Sequence, residues 1–228
     1  MHSQTSLNPF QIHDVFQQRI GEFSQDIFKT ISETIEFEQL APGRKSAILV
    51  HKDIRGVPLV RTTCISQNPS YIMTPIMYDI MAEIKRVYGD HCVFNNAWVE
   101  TYDTYKSMSF HSDQSLDLDK NSYICVCSWY SDEMTSRSLV VVSKTNNENL
   151  EIPLAHNSMV LFSVADNDKY EHRIIKSRIP KRISSNRWLG ITFRLSRTFI
   201  NWDDTNRPFI GTTIPFYLAD ETEKIEFL

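Results

Sequence analysis

The sequence predicts an α+β, mainly β protein: a sandwich or jelly roll behind a helical N-terminal part. Three observations carry this. Before Gly89, two long stretches space their apolar residues mostly three to five apart, as amphipathic helices do. After Gly89, short runs rich in β-branched and aromatic residues follow one another closely. Asn and Asp clusters such as KTNNEN and ADND separate those runs, as turns do.

Taken in order, residues 8–37 read as helix, with Phe10, Val15, Phe16, Ile20, Phe23, Ile27, Phe28, Ile31 and Ile35 as the apolar stripe. Asn8-Pro9 suits a helix start, and Gly21 or Ser24 divides the stretch in two. SAILVHK and VPLVRTTCI read as short strands. The run from Asn68 to Gly89 returns to helix, with Ile76, Ile80, Ile84 and Val87 on one side and Gly89 as its stop. Strands are expected near 93–103, 107–112, 121–130, 138–144, 148–153, 158–164, 170–176 and 188–196. The tail 201–228 holds RPFIGTTIPFYL, a further strand, and ends acidic. With no linker or repeat in sight, 1–228 is expected to form a single domain: N-terminal helices over 1–45, a strand-and-helix segment over 46–92, a β core over 93–200, and the tail.

Composition narrows the class. Thirteen Phe, nine Tyr and six Gly in 228 residues argue against a disordered chain or a repetitive fibre. A net charge of −4 gives no global electrostatic case for nucleic-acid binding, although it leaves room for a local basic face. Cys64, Cys92, Cys125 and Cys127 include no C-x-x-C pair, so they read as reduced structural thiols, the last two sharing one strand face. No secretory signal opens the chain and no run is long and apolar enough to span a membrane, so the expected address is intracellular, cytoplasmic or nuclear.

The chemistry-bearing motif is His111-x-Asp113 in KSMSFHSDQSLDL. On a strand, residues two apart project from one face. A second copy, His51-x-Asp53, has no later partner and reads as surface. The first copy has His172 in DKYEHRII and Arg194 in WLGITFRLS downstream. Two imidazoles and one carboxylate on one side of a metal leave the opposite positions open, the arrangement used by non-haem Fe(II) oxygenases.

These residues resemble the AlkB-like family of Fe(II)/2-oxoglutarate-dependent dioxygenases. YDTYKSMSFHSD matches the family's Tyr nine positions before the His of His-x-Asp, which makes Tyr102 that tyrosine. YICVCSWY resembles the strand that follows, LEIPLAHNSMVLFSVADNDKYEHRI the approach to the distal histidine, and WLGITFR the closing Thr-Phe-Arg strand. The similarity spans about residues 57–199. It implies a double-stranded β-helix, or jelly roll, with helices packed against it. His111, Asp113 and His172 would bind Fe(II), Arg194 would pair with a 2-oxoglutarate carboxylate, and Tyr102 would hydrogen-bond to that co-substrate. With O2, the implied reaction is decarboxylation of 2-oxoglutarate to succinate and CO2, coupled to hydroxylation of a C–H bond. On an N-methylated base of DNA or RNA the product would lose formaldehyde, and segment 46–92 would cover the substrate site.

Three positions depart from the family. Its second arginine, six before the last, is Trp188 here; Arg187 takes that role only if a bulge turns it inward, and Arg182 is the other candidate. The asparagine two before the tyrosine is Glu100, and that of the final strand is Gly190. KSRIPKRISSNR carries five basic residues and no acid, so it reads either as a solvated loop or as a phosphate contact; Arg61 and Tyr71 are further candidates for touching a nucleotide. His156 reads as a turn residue, and Trp129 and Tyr130 as core. Alternatives from other classes are a 2-oxoglutarate-dependent hydroxylase of protein or small molecules, a cupin-like metal or ligand binder, and a non-catalytic interaction module.

Overall fold

The computed structural model describes residues 11–14, 26–60, 68–103, 107–134, 136–146, 148–176, 186–200 and 209–210. Its elements are β1 (Gln11–Asp14), α1 (Ile27–Thr34), β2 (Glu38–Ala41), β3 (Arg44–Val50), β4 (Val57–Pro58), β5 (Asn68–Ile72) and α2 (Pro75–Tyr88). Then come β6 (Asn96–Tyr102), β7 (Tyr123–Tyr130), β8 (Arg137–Ser143), β9 (Asn149–Pro153), β10 (Ser158–Ser163) and α3 (Val164–Lys169). Last are β11 (Tyr170–Lys176), β12 (Trp188–Arg194), β13 (Phe199–Ile200) and β14 (Phe209–Ile210).

Two sheets form the body. One runs β1-β10-β7-β12-β6-β3-β5-β14 with β2 beside β3, and the other runs β11-β8-β9. Nearly all pairings are antiparallel; β3 with β5 is the parallel exception. The two sheets close over a cluster that includes Tyr102, Val126, Tyr130, Leu139, Val141 and Trp188, which makes the fold a mainly β jelly roll, as expected.

Side-chain alternation splits the large sheet into two chemistries. On β12, Leu189, Ile191 and Phe193 join the outer core with Val99 of β6 and Cys125, Cys127 and Trp129 of β7. The helices cover that face. Ile27, Phe28 and Ile31 of α1 and Met77, Ile80 and Ile84 of α2 belong to the same cluster. Each fully buried aliphatic side chain contributes about 1.5–3 kcal/mol. Cys92, Cys125 and Cys127 are free and buried, in line with structural thiols; Cys64 lies outside the described residues.

The helical reading of 8–37 needs correction. Gln11–Asp14 is a strand, antiparallel to β10 from Gln11↔Leu161 to Asp14↔Ser158. Sheet pairing outweighs local period there, because β10 would otherwise be an edge. Residues 15–25 lie outside the described ones. The helix that does form starts at Asp26, whose carboxylate accepts from the Lys29 N–H at 3.0 Å as an N-cap. The helical segment also ends early. Pro42-Gly43, with Gly43 at φ 72°, turns β2 into β3 as a type II turn does, so the core sheet begins at Arg44.

The helix read over 68–89 is shorter too. Residues 68–72 form β5, whose Ser70–Ile72 pair with β3, and α2 begins at Pro75. Proline forces the residue before it out of the helical region, and Thr74 sits at φ −83°, ψ 160°. Gly89, at φ 108°, is the expected stop. The strand expected at 107–112 is reduced to two bridges, Ser107↔Ile175 and His111↔His172. Four steps on one side match three on the other, so an extra residue bulges between them. Of the tail, Phe209–Ile210 pairs with β5 and the rest lies outside the described residues. No helix among the described residues is long and apolar enough to cross a membrane.

Gly190 tests the inner packing. A Cβ there would lie 2.0 Å from the Trp188 ring, and that ring is only 1% exposed, so it has nowhere to swing. Gly190→Ala is expected to destabilise by about 1–3 kcal/mol in urea unfolding. In a Trp188→Leu background the same alanine should become nearly neutral, because the clashing ring is gone.

Candidate metal centre

The site is built on the bulged segment and β11. His111 and His172 exchange main-chain hydrogen bonds of 3.1 and 2.7 Å, so their side chains leave the backbone as a cross-strand pair. The ring centroids are 4.6 Å apart. Asp113 Oδ1 lies 3.7 Å from His111 Nε2 and 3.6 Å from His172 Nε2. All three ligand atoms fall within 4.8 Å of one another, and this is the group of His, Cys, Asp or Glu side chains placed to hold a metal among the described residues. His51 and Asp53 are elsewhere: His51 Nδ1 meets Tyr78 Oη at 2.9 Å and Asp53 pairs with Arg55 at 2.6 Å.

The surroundings of each candidate ligand bear on the atom it can offer. His111 Nδ1 faces the Ser109 carbonyl at 3.0 Å. A carbonyl only accepts, so Nδ1 carries the proton and Nε2 keeps its lone pair. Burial pushes the His172 imidazole down to about 4, so it stays neutral. Burial alone would raise the Asp113 carboxyl, but Arg194, His172 and His111 outweigh it and hold it below the ordinary carboxylate value. Arg194 donates from Nε at 2.8 Å and Nη2 at 2.6 Å, both to Asp113 Oδ2. That fixes the carboxylate and leaves Oδ1 toward the imidazoles. Two neutral imidazoles and one carboxylate fit a divalent transition metal with open positions. Side-chain exposure is 33% at His111 and 8% at His172, so the open side lies toward His111.

One supporting residue was not singled out from the sequence. Asn167 of α3 accepts from the Asp113 N–H at 2.8 Å and donates to the Asp113 carbonyl at 2.9 Å. It therefore clamps the ligand's backbone in both directions. Its only signal in the sequence was its place in ADND, which read as a turn.

Behind the triad, Tyr102 is fully buried and its hydroxyl donates to Glu100 Oε2 at 3.1 Å. That proton cannot serve a co-substrate at the same time. Glu100 is in turn paired with Arg44, Nε at 2.7 Å and Nη2 at 2.5 Å, so the acid is compensated. Trp188 packs on Tyr102 with centroids 4.8 Å apart. The structure does not bring Arg187 to this place: it is exposed, with its guanidinium carbon 5.1 Å from the Phe28 ring on the outer layer. The bulge that would turn it inward is absent, since β12 keeps unbroken register with β6 from Trp188↔Tyr102 to Arg194↔Asn96. Arg182, Arg61 and most of the basic run lie outside the described residues. Tyr71 packs against the outer core, Trp129 and Tyr130 are core, and His156 Nδ1 accepts from the Tyr130 N–H at 3.1 Å.

Two outcomes follow. Asn167→Ala should weaken binding of a divalent ion by about 10–100-fold, read by titration with Co(II), because an outer partner orients the ligand. In the metal-free protein, stability should fall as pH drops from about 6.5 to about 4. The unfolded imidazole of His172 takes a proton in that window while the folded one does not, so the unfolded state is favoured. The span is on the order of 3 kcal/mol, and His172→Gln should flatten it in urea unfolding across pH.

No protein-family model matches the chain, and no curated protein matches it. In structure, 196 solved chains are similar. One is OsALKBH1, an AlkB homologue, at 10% identity and a TM-score of 0.55, covering 82% of this chain and 97% of that one. At that identity the likeness carries the fold alone: the chain is built as an AlkB-like jelly roll.

Proposed function

We propose that this protein is an Fe(II)/2-oxoglutarate-dependent dioxygenase that oxidatively dealkylates N-alkylated bases of DNA or RNA. The observation that carries the reading is the meeting of His111 Nε2, Asp113 Oδ1 and His172 Nε2 within 4.8 Å, with Arg194 holding the second carboxylate oxygen. His111, Asp113 and His172 are the ligands in this reading, and Arg194 keeps Asp113 ionised and aimed. When bound, Fe(II) with 2-oxoglutarate and O2 supplies the oxidising power for C–H hydroxylation, and a hydroxylated N-methyl group leaves as formaldehyde.

The protein's part is positioning. The Ser109 carbonyl sets the His111 tautomer and the Asn167 amide holds the Asp113 backbone. The buried side of the site, at His172 and Asp113, excludes water, while the His111 side admits a substrate. The nucleic-acid class is supported by the likeness to an AlkB homologue and by the basic run KSRIPKRISSNR between β11 and β12. A base would enter flipped from its stack or from a single strand.

Anaerobic titration with Fe(II) and 2-oxoglutarate should give the visible charge-transfer band of a chelated complex. His172→Ala should lose it, with metal affinity down by more than about 100-fold, since even outer partners cost 10–100-fold. Formaldehyde should then appear from N-methylated oligonucleotides in air. A colourless, folded sample sinks the oxygenase reading; a band with succinate but no formaldehyde moves the substrate to protein or small molecules.

A further inference from the structure

A 2-oxo acid chelates a metal through one carboxylate and the neighbouring oxo group, and whatever lies beyond that end must fit the protein. We propose that the grip on the co-substrate ends at the metal. The Trp188 indole closes the inner face of β12 beyond Thr192, so the site takes a 2-oxo acid without a second carboxylate as readily as 2-oxoglutarate. Trp188 is then the residue that sets co-substrate specificity. This rests on the dioxygenase reading and deepens it.

Trp188, Gly190, Thr192 and Arg194 share the inner face of β12, since they lie two apart on one strand. Arg194 holds Asp113, so its end of the strand is the metal end. A ligand that starts at the triad and follows this face passes Thr192 and reaches Gly190 next. There the Trp188 ring lies over the strand. A Cβ on Gly190 would overlap the Cη2, Cζ2 and Cζ3 atoms of that ring. The indole therefore leans back from its own position toward the metal end and fills the space a side chain at 190 would take. It is buried and packs on the Tyr102 ring. A ring held between a glycine backbone and a second aromatic, at interior density, has no room to swing aside.

Charge agrees with shape. Among the described residues, the arginines around Trp188 are committed elsewhere. Arg44 is paired with Glu100. Arg137 donates to the Asp103 carbonyl and lies over the Tyr102 ring. Arg187 lies against Phe28 on the outer layer. The Trp188 N–H is buried and has no hydrogen-bond partner among the described residues, but it is neutral. Burying an ionised carboxylate is costly unless a charge pairs with it, and one neutral donor does not offset that cost. A short or apolar tail carries no such cost. 2-Oxoglutarate still chelates through its near end, with its far carboxylate turned to water on the exposed His111 side, where it adds nothing to affinity.

The test uses the full chain loaded anaerobically with Fe(II), reading the visible band of the chelate. It is titrated with 2-oxoglutarate and with 2-oxopentanoate, the same carbon chain without the far carboxylate. The natural protein should bind 2-oxopentanoate as tightly as 2-oxoglutarate to within about threefold, or more tightly. Trp188→Arg places a guanidinium at that level and should shift the ratio toward 2-oxoglutarate by about 10–100-fold, the worth of a charged hydrogen-bonded contact. A merely structural role for Trp188 would weaken both acids alike and leave the ratio unmoved. Should Trp188→Arg fail to fold, the natural protein decides alone. A natural protein that prefers 2-oxoglutarate by more than about threefold, or an unchanged ratio in a folded Trp188→Arg, overturns the inference and leaves the dioxygenase reading standing. A natural protein that holds Fe(II) yet gives no band with either acid overturns both.

Discussion

Two main-chain hydrogen bonds between His111 and His172 hold the candidate centre together. Singly, such bonds are worth only about 0.5–1.5 kcal/mol. Their authority comes from register. β11 is locked to β8 over seven pairs, from Tyr170↔Ser143 to Lys176↔Arg137, and that pairing decides which side chains face inward. A slip of one residue would send His172 to solvent and turn Glu171 or Arg173 into the site. The bulge between Ser107 and His111 then absorbs the one-residue mismatch, so the incoming segment can present both His111 and Asp113 to the same point.

Charge is balanced in two separate buried acid–arginine pairs. Asp113 with Arg194 lies in the candidate centre, and Glu100 with Arg44 lies beside Tyr102. Burying a carboxylate is costly unless it is paired and hydrogen-bonded. The two pairs differ in what they leave open. Arg194 spends both named bonds on Oδ2, so Oδ1 stays directed at the imidazoles. Glu100 has its two oxygens divided between Arg44 and Tyr102, so its charge is matched where it lies. The first arrangement suits a ligand, and the second suits a structural plug that keeps an acid from repelling an anion.

Much of this was legible in the sequence, and the failures share a cause. The strands β6 to β12 fell close to their expected places because alternation and turn residues are local signals. His-x-Asp, the distal His and the closing Arg could be picked out because each stands in a short recognisable motif, and the fold brings the four side chains together. Gln11–Asp14 and Asn68–Ile72 went to the wrong element because their partners, β10 and β3, are far away in sequence and no local period reports them. Asn167 was missed because it acts on the backbone of a residue 54 positions away. Arg187 and Trp188 are neighbours, and a single step of parity sends one to the surface and the other to the interior.

The division of the large sheet explains why stability and chemistry do not collide. Its outer face is filled by apolar side chains and sealed by α1 and α2. The inner face lapses from that pattern along one row, where Ser46, Glu100, Gly190 and Ser128 lie in register across β3, β6, β12 and β7. Four small or polar residues aligned across adjacent strands cost core burial without weakening the ladder, since the backbone bonds are indifferent to side chains. The outer face supplies the burial that this row forgoes. The same strands can therefore hold a rigid sheet from behind and still leave a polar row in front, crossing the sheet between the levels of Trp188 and Arg194 on β12.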